Sequence, residues 1–172
     1  MIVWASTAVS LDGYIDDNTP QRLVLSSAED WEQVRALRAA CDAVLVGAET
    51  IRKDNPALVT RSATLREQRL AQGRPVDPIK VTVSASGHLD PNARFFTEGS
   101  GEKIVIAKAD ADPQQLAALR QVATVITSSQ PITPESIKQT LTAQGIRSLF
   151  LEGGTSMLTQ FLEANAVDFL RL

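Results

Sequence analysis

The sequence predicts an α/β domain built on a mainly parallel sheet with helices on its faces, and three observations carry that expectation. Short apolar segments rich in β-branched residues alternate with helical segments along the whole chain, the order that gives parallel strands joined by helical crossovers. Pro134 opens and Gly145 closes one helical segment, the usual asymmetry of helix ends. Ala43-Val44-Leu45-Val46 is apolar at every position and bounded by Gly47, which suits a central strand covered on both faces.

Ile2 to Leu11 reads as the first strand, turned by Asp12-Gly13, and Tyr14 to Pro20 as a loop of turn formers. Ser26 or Ser27 can cap a helix running to about Ala40. Glu29 and Asp30 lie in its first turn, where carboxylates meet the positive end of the helix dipole, and Trp31, Val34, Leu37 and Cys41 form its apolar stripe. After the strand at Ala43, Ala48 to Lys53 is a short helix stopped by Asn55-Pro56, because proline disfavours helical geometry in the residue before it. Ala57 to Thr60 is an extended piece leading into Arg61. Ser62 to Pro78 carries Arg66, Arg69 and Arg74 with little apolar periodicity, as a solvated helix or loop followed by a linker. Ile79 to Ser84 is a strand, Ser86-Gly87 a turn, and Leu89 to Gly101 a connection packed at Phe95-Phe96. Lys103 to Ala107 is a strand, Pro113 opens a helix from Gln114 to Gln121, and Val122 to Ile126 and Ser148 to Glu152 are strands. Gly153-Gly154-Thr155 breaks the last of these. Ser156 to Ala164 is then a helix with Met157, Leu158, Phe161 and Leu162 turned inward, and Val167 to Leu172 begins a final strand.

The 172 residues fit one domain, and at 44% apolar they supply an ample core. Seventeen basic against twenty acidic residues give a net charge of −3, which implies no general attraction for nucleic acid or anionic membranes. No apolar run approaches a membrane span, and the N-terminus lacks a signal-peptide pattern, so a cytoplasmic protein is expected. The single cysteine, Cys41, excludes an internal disulfide and a cysteine-based zinc site. With a single histidine, His88, a metal centre and a histidine triad are not expected. The chemistry falls to a bound organic cofactor or to carboxylates and hydroxyls.

Two segments have the form of a ligand site. Ala43 to Arg61 is a strand whose C-terminal end gives way to glycine and a helix start, the place where open α/β sheets bind ligands, and it offers Thr50, Asp54 and Arg61. Leu149 to Ser156 is a strand, a double glycine and a helix start bearing Thr155 and Ser156. Glycines let a ligand approach the backbone, and hydroxyls beside a helix N-terminus suit a diphosphate. The segment matches neither G-x-G-x-x-G nor a Walker A pattern, and a Gly-Gly before a helix is more often a tight turn. Glu152 suits either a capping carboxylate or a ligand contact. Taken singly, the other polar residues also have structural explanations: Asp54 as an Asx-type turn, Arg38 as a helix residue lying along apolar surface, Arg61 as a solvated strand end. His88 reads as an exposed turn residue, and Trp4 and Trp31 as core.

Three pieces together resemble one family: Val9-Ser10-Leu11-Asp12-Gly13, Val46-Gly47-Ala48-Glu49-Thr50-Ile51-Arg52-Lys53-Asp54-Asn55-Pro56-Ala57-Leu58, and Leu151-Glu152-Gly153-Gly154. In order and spacing they are similar to the reductase domain of the riboflavin-biosynthesis deaminase-reductase and its stand-alone relatives, which have the three-layer α/β/α dihydrofolate-reductase-like fold. The resemblance implies an NADPH-dependent reductase, expected as a homodimer. Its substrate would be of the 5-amino-6-(5-phosphoribosylamino)uracil or 2,5-diaminopyrimidinone type, converted to a ribitylamino product. Position by position it implies cofactor contacts at Thr50 and Asp54, at Val9 through its backbone, and along the turn and helix start of Gly153, Gly154, Thr155, Ser156 and Met157. Arg38, Leu58, Arg61 and Glu152 fall on the substrate side, the arginines as cationic forks for a sugar phosphate. Asp54 and Glu152 are the candidates for the group that meets the ribose ring oxygen as it leaves, and Arg52, Lys53 or Arg61 for a 2′-phosphate.

Ser6 stands where the bacterial bifunctional enzymes usually have lysine, and Leu23 where they have tryptophan. These departures leave open a dihydrofolate-reductase-like reductase of another heterocycle such as a pterin; a non-catalytic nucleotide-binding module is the alternative of a different class. The family continues past a strand such as Val167-Asp168-Phe169-Leu170 for another strand pair. The 172 residues are therefore expected to form a single reductase domain without those last strands, and without a deaminase domain.

Overall fold

The structure is a computed structural model that describes residues 1–15 and 25–172. The elements are β1 (Ile2–Ser6), α1 (Ala28–Ala40), β2 (Ala43–Gly47), α2 (Ala48–Asp54), α3 (Ala63–Ala71), β3 (Ile79–Val83), α4 (Arg94–Thr97), β4 (Lys103–Lys108), α5 (Pro113–Leu119), β5 (Thr124–Ser128), α6 (Pro134–Ala143), β6 (Ser148–Gly153), α7 (Thr155–Glu163) and β7 (Phe169–Arg171). The strands form one sheet in the order β5-β4-β3-β2-β6-β1-β7, and every pairing is parallel.

Strand alternation sorts the core into two layers. On one face Val3, Leu45, Val81, Ile104, Leu149 and Leu151 pack against α6 and α7 through Ile137, Leu141, Met157, Leu158 and Phe161. On the other, Val44, Val46, Val105 and Phe150 pack against α1, α2 and α4 through Val34, Ile51, Phe95 and Phe96. This is the expected three-layer arrangement. The caps are local: Ser27 accepts from the Asp30 amide at the start of α1, and Thr133 and Ser136 form a reciprocal capping box on α6. Among the described residues no helix is long and apolar enough to cross a membrane.

Several boundaries differ from the sequence expectation. β1 stops at Ser6 rather than Leu11, because Ser10 organises a turn: its hydroxyl meets Asp12 Oδ1 at 2.5 Å and accepts from the Tyr14 amide at 3.1 Å. Residues 57–60 are not extended: Leu58 lies at φ 50° and is buried, while the Thr60 amide is held by Asp77 at 2.7 Å. β5 begins at Thr124 because the amides of Val122 and Ala123 still bond back to Leu119 at the end of α5. Arg69 is not solvated. It is 2% exposed, and its guanidinium donates to the carbonyls of Ala39, Cys41 and Pro75 at 2.7–2.8 Å, taking up carbonyls left open at the end of α1.

Lys80 on β3 is also fully buried, donating to Phe95 O at 3.0 Å and Glu98 O at 2.6 Å across the end of α4. Burial pushes its pKa down from 10.5 to about 8. Between these values the unfolded chain holds a proton that the folded chain has released, so this group's contribution to stability rises with pH, by on the order of 1 kcal/mol per pH unit. Burial raises the Cys41 thiol from 9.0 to about 11, so above pH 9 Cys41 acts in the opposite sense. The denaturant midpoint is expected to rise from pH 8 to 9 and to stay flat over that interval in Lys80→Met. A native midpoint that falls there would contradict the depressed Lys80 pKa.

Candidate active site

β6 lies between β1 and β2, although the chain runs from β1 through α1 directly to β2. The helices after β1 and β2 cover one face and the helix after β6 covers the other. Helices leaving neighbouring strands toward opposite faces open a crevice at the strands' C-terminal ends. The cleft found there measures about 1080 Å³ and takes in the ends of β1, β2, β3, β4 and β6.

One wall is the β6–α7 turn. Gly153 and Gly154 adopt φ 152° and 93°, conformations that favour glycine. Gly154 caps α7 with no side-chain hydrogen bond, so the first-turn amides beside the cleft have no side-chain cap. A Cβ on Gly153 would meet nothing within 4 Å, whereas one on Gly154 would lie 3.1 Å from Thr50 Oγ1. Thr50 on α2 and Gly154 therefore lie side by side in the cleft lining. One turn of helix beyond Thr50 is Asp54, whose Oδ1 is buried and has no hydrogen-bond partner among the described residues. A buried carboxylate oxygen left without a donor is costly, and the same holds in smaller measure for the buried hydroxyls of Thr60 and Thr82, which also lack a partner among the described residues.

The opposite wall carries a charge pair. The β2–β6 register shifts so that Leu45 pairs with Leu151 but Val46 pairs with Gly153, leaving Glu152 as the extra residue. Such irregularities re-aim a side chain at the end of a strand. Here Glu152 meets Arg38 of α1 through two parallel contacts, Nε to Oε2 at 2.8 Å and Nη2 to Oε1. Arg38 Nη1 also donates to Val59 O at 3.2 Å. Both side chains are largely buried, at 12% and 13% exposure. Arg38 thus holds Glu152 in place and has little of its fork left for a phosphate. Arg61 also lines the cleft and makes no side-chain hydrogen bond or ion pair among the described residues.

The model of the RibD C-terminal domain family matches residues 1–172. The chain belongs to this family. It is 30% identical over 171 residues to a protein of Archaeoglobus fulgidus named 2,5-diamino-6-ribosylamino-4(3H)-pyrimidinone 5′-phosphate reductase, covering 99% of this chain and 78% of that one. A protein of the same name from Methanothermobacter thermautotrophicus is 29% identical, with 97% and 74% covered. Among solved structures, a pyrimidine reductase-like protein of Corynebacterium diphtheriae superposes with a TM-score of 0.82 at 26% identity, covering 98% of this chain and 72% of that one. The deaminase/5-amino-6-(5-phosphoribosylamino)uracil reductase of Thermotoga maritima gives 0.76 at 27%, and this chain spans 43% of its length. The dihydrofolate-reductase-like fold expected from the motifs is the fold of this RibD C-terminal domain.

Of the residues the motifs single out, Asp54, Glu152, Thr50, Gly153, Gly154, Thr155, Ser156, Met157, Arg38, Leu58 and Arg61 all line the cleft. Val9 does not: it is 38% exposed on the loop that the Ser10 turn draws away from the sheet. Arg52 is engaged by Glu49 at 2.7 Å and by the carbonyl of His88 at 3.0 Å. Trp31 lines the cleft as well as packing beneath it. Ser6 is buried at the cleft edge, accepting from Arg171 at 3.2 Å, and Arg171 in turn pairs with Asp30 at 2.5 Å. Leu23 lies outside the described residues. Sequence reasoning missed Lys108 and Ser84, which the ends of β4 and β3 bring into the cleft; their place as the polar residue closing an apolar strand was the available signal. Removing Arg38 strands a largely buried carboxylate. Arg38→Ala is expected to cost about 1–3 kcal/mol, read as a melting temperature lower by about 2–4 °C per kcal/mol. Combined with Glu152→Gln, the loss should be less than the sum of the two single changes. Additive losses would mean that the pair is not coupled.

Proposed function

We propose that the chain is an NADPH-dependent reductase of a pyrimidine ribosyl phosphate of riboflavin biosynthesis, yielding the ribitylamino product. The observation that carries this reading is the close approach of Thr50 and the Gly153-Gly154 turn in one cleft, with Asp54 Oδ1 on the same helix lacking a partner among the described residues. The names of the Archaeoglobus and Methanothermobacter relatives support the substrate class. The residues fit a nicotinamide dinucleotide: the glycine turn admits a diphosphate to the α7 amides, and Thr50 and Asp54 flank the way to the substrate wall. When bound, the nicotinamide supplies the hydride for C1 of the ribose.

The remaining work falls to the protein's own groups. Reduction at C1 requires a proton for the ring oxygen as it departs. Both Glu152 oxygens are occupied by Arg38, whereas Asp54 Oδ1 is uncommitted, so Asp54 is the group that holds or relays that proton. Glu152, held ionised and in place by Arg38, keeps a second lone pair on each oxygen with which to accept from the donor edge of the pyrimidine. Arg61 meets the sugar phosphate as a cationic fork. Leu58 and Trp31 give the substrate wall an apolar surface that displaces water from the reacting atoms. Arg61, which makes no ion pair among the described residues, favours a phosphorylated substrate over a pterin on this wall.

Thr50→Val together with Asp54→Ala is expected to weaken NADPH binding about tenfold or more in a fluorescence titration, a change of about 1.4 kcal/mol. Arg61→Ala should leave that affinity within about twofold and raise KM for the phosphoribosylamino-pyrimidine about tenfold or more. The reverse pattern would exchange the two halves of the site. Absence of saturable NADPH binding to the native protein would rule out a reductase.

A further inference from the structure

We propose that Asp77, which lies outside the cleft, is the positioning residue of the substrate wall: its carboxylate fastens the segment carrying Leu58 and Arg61 to the turn at 98–101 and so fixes Arg61 where a substrate phosphate meets it. The inference rests on the reductase reading above, which gives Arg61 to the sugar phosphate.

Pro56, Ala57, Leu58, Val59 and Arg61 line the cleft from a segment between α2 and α3 that belongs to no helix or strand. Two local features oppose the shape it takes. Leu58 lies at φ 50°, a left-handed conformation unfavourable for a residue with a side chain. The hydroxyl of Thr60 is buried without a partner among the described residues, which also costs stability. A segment of this kind keeps one shape only when bonds from outside it over-determine that shape.

Those bonds meet at Thr60 and its neighbours. Asp77 is buried and does not line the cleft. Its Oδ1 accepts from the Thr60 amide at 2.7 Å, and its Oδ2 accepts from the amide and the hydroxyl of Ser100 at 2.9 and 3.1 Å. Burial pushes the Asp77 carboxyl up, but the bonds donated by Ser100 and Thr60 outweigh it and hold the pKa below its ordinary value. Asp77 is therefore ionised at neutral pH and holds the Thr60 amide through a charge-assisted bond. The turn it reaches is itself anchored, since Lys80 donates to Glu98 O at 2.6 Å and the Arg94 amide donates to Asn55 Oδ1 at 2.7 Å. On the cleft side, Arg38 donates to Val59 O at 3.2 Å. The join is tight: a Cβ on Gly99, at φ 74°, would lie 2.6 Å from Val59 Cγ1 and 2.9 Å from Asp77 Oδ2. Arg61 follows Thr60 directly and makes no side-chain hydrogen bond or ion pair among the described residues, and the nearby Glu98 is bonded to Arg94. The place of Arg61 in the cleft is thus set through its backbone, one residue from the Asp77 bond.

The test is steady-state kinetics with the phosphoribosylamino-pyrimidine, beside a fluorescence titration of NADPH, on the full chain. The proteins are the native one, Arg61→Ala, Asp77→Asn, Gly99→Ala, and each of the last two combined with Arg61→Ala, every one first shown to melt cooperatively. Asp77→Asn keeps the shape of the side chain but replaces one acceptor by a donor, so it cannot accept from Thr60 and Ser100 together. Gly99→Ala presses on the same join from an exposed turn and remains measurable should Asp77→Asn not fold. Each is expected to raise KM about threefold to tenfold while leaving kcat and NADPH affinity within about twofold. Combined with Arg61→Ala, each should give the KM of Arg61→Ala alone, because a misplaced and an absent guanidinium serve the phosphate alike. A native KM in Asp77→Asn, or in Gly99→Ala where the first does not fold, overturns the inference and leaves the reductase reading standing. So does a rise in KM that multiplies with that of Arg61→Ala, or one matched by an equal loss of NADPH affinity, since either marks a general loosening of the fold. If Arg61→Ala itself leaves KM unchanged, the phosphate is placed wrongly and the inference falls with that placement. Failure of the native protein to bind NADPH is the separate result that overturns the reductase reading as well.

Discussion

β6 enters the sheet between two strands that are consecutive in the chain, and its helix packs on the face opposite to theirs. The crevice that results exists for a steric reason: helices diverging from adjacent strand ends cannot fill the space above the sheet between them. Thr50, Asp54 and the Gly153-Gly154 turn sit around that gap. The two motif segments, about a hundred residues apart in sequence, meet there because β2 and β6 are neighbours. The double glycine then allows the α7 turn to approach within 3.1 Å, measured from a notional Cβ, of the Thr50 hydroxyl.

Charge in this protein is mostly committed to holding backbone or other charges in place. Arg69 and Lys80 are buried cations that donate to carbonyls at the ends of α1 and α4, which meets the requirement that buried polar groups be paired. Arg38 and Glu152 satisfy each other inside the cleft. The consequence for chemistry is subtractive. Once these groups are assigned, Asp54 Oδ1 and Arg61 are cleft positions without a hydrogen bond or ion pair among the described residues, and the roles proposed for them follow from where each lies. The register shift at Glu152 is part of the same economy, since it lets one strand supply both an anchored carboxylate and the glycine turn.

Much of the fold was legible because it is written in local patterns. The all-apolar run at Ala43 to Val46, the Pro134 to Gly145 helix and the Ser27 cap read directly as the elements found. The misreadings have a common origin in contacts from outside the segment. Ile2 to Leu11 has strand composition along its length, yet the Ser10 hydroxyl engages Asp12 and Tyr14 and ends the strand early. Residues 57–60 suit an extended chain, yet Leu58 takes a left-handed conformation to bury its side chain. Arg69 has the composition of a solvated helix around it, yet the carbonyls it serves belong to α1 and to the following turn.

By itself the sequence determined the alternation of strands and helices, the family, and a set of motif residues that line the cleft, because periodicity, caps and contiguous motifs are short-range properties of the chain. Tertiary structure alone decided how those residues are used. Arg38 and Glu152 are 114 positions apart, and no local pattern reveals that one occupies the other. Likewise, the strand order brings Lys108 to the cleft that Thr50 and Gly154 also line. Whether an ionisable side chain is free to meet a ligand depends on which partners the fold has already supplied to it, and that is fixed by the sheet topology rather than by neighbours in sequence.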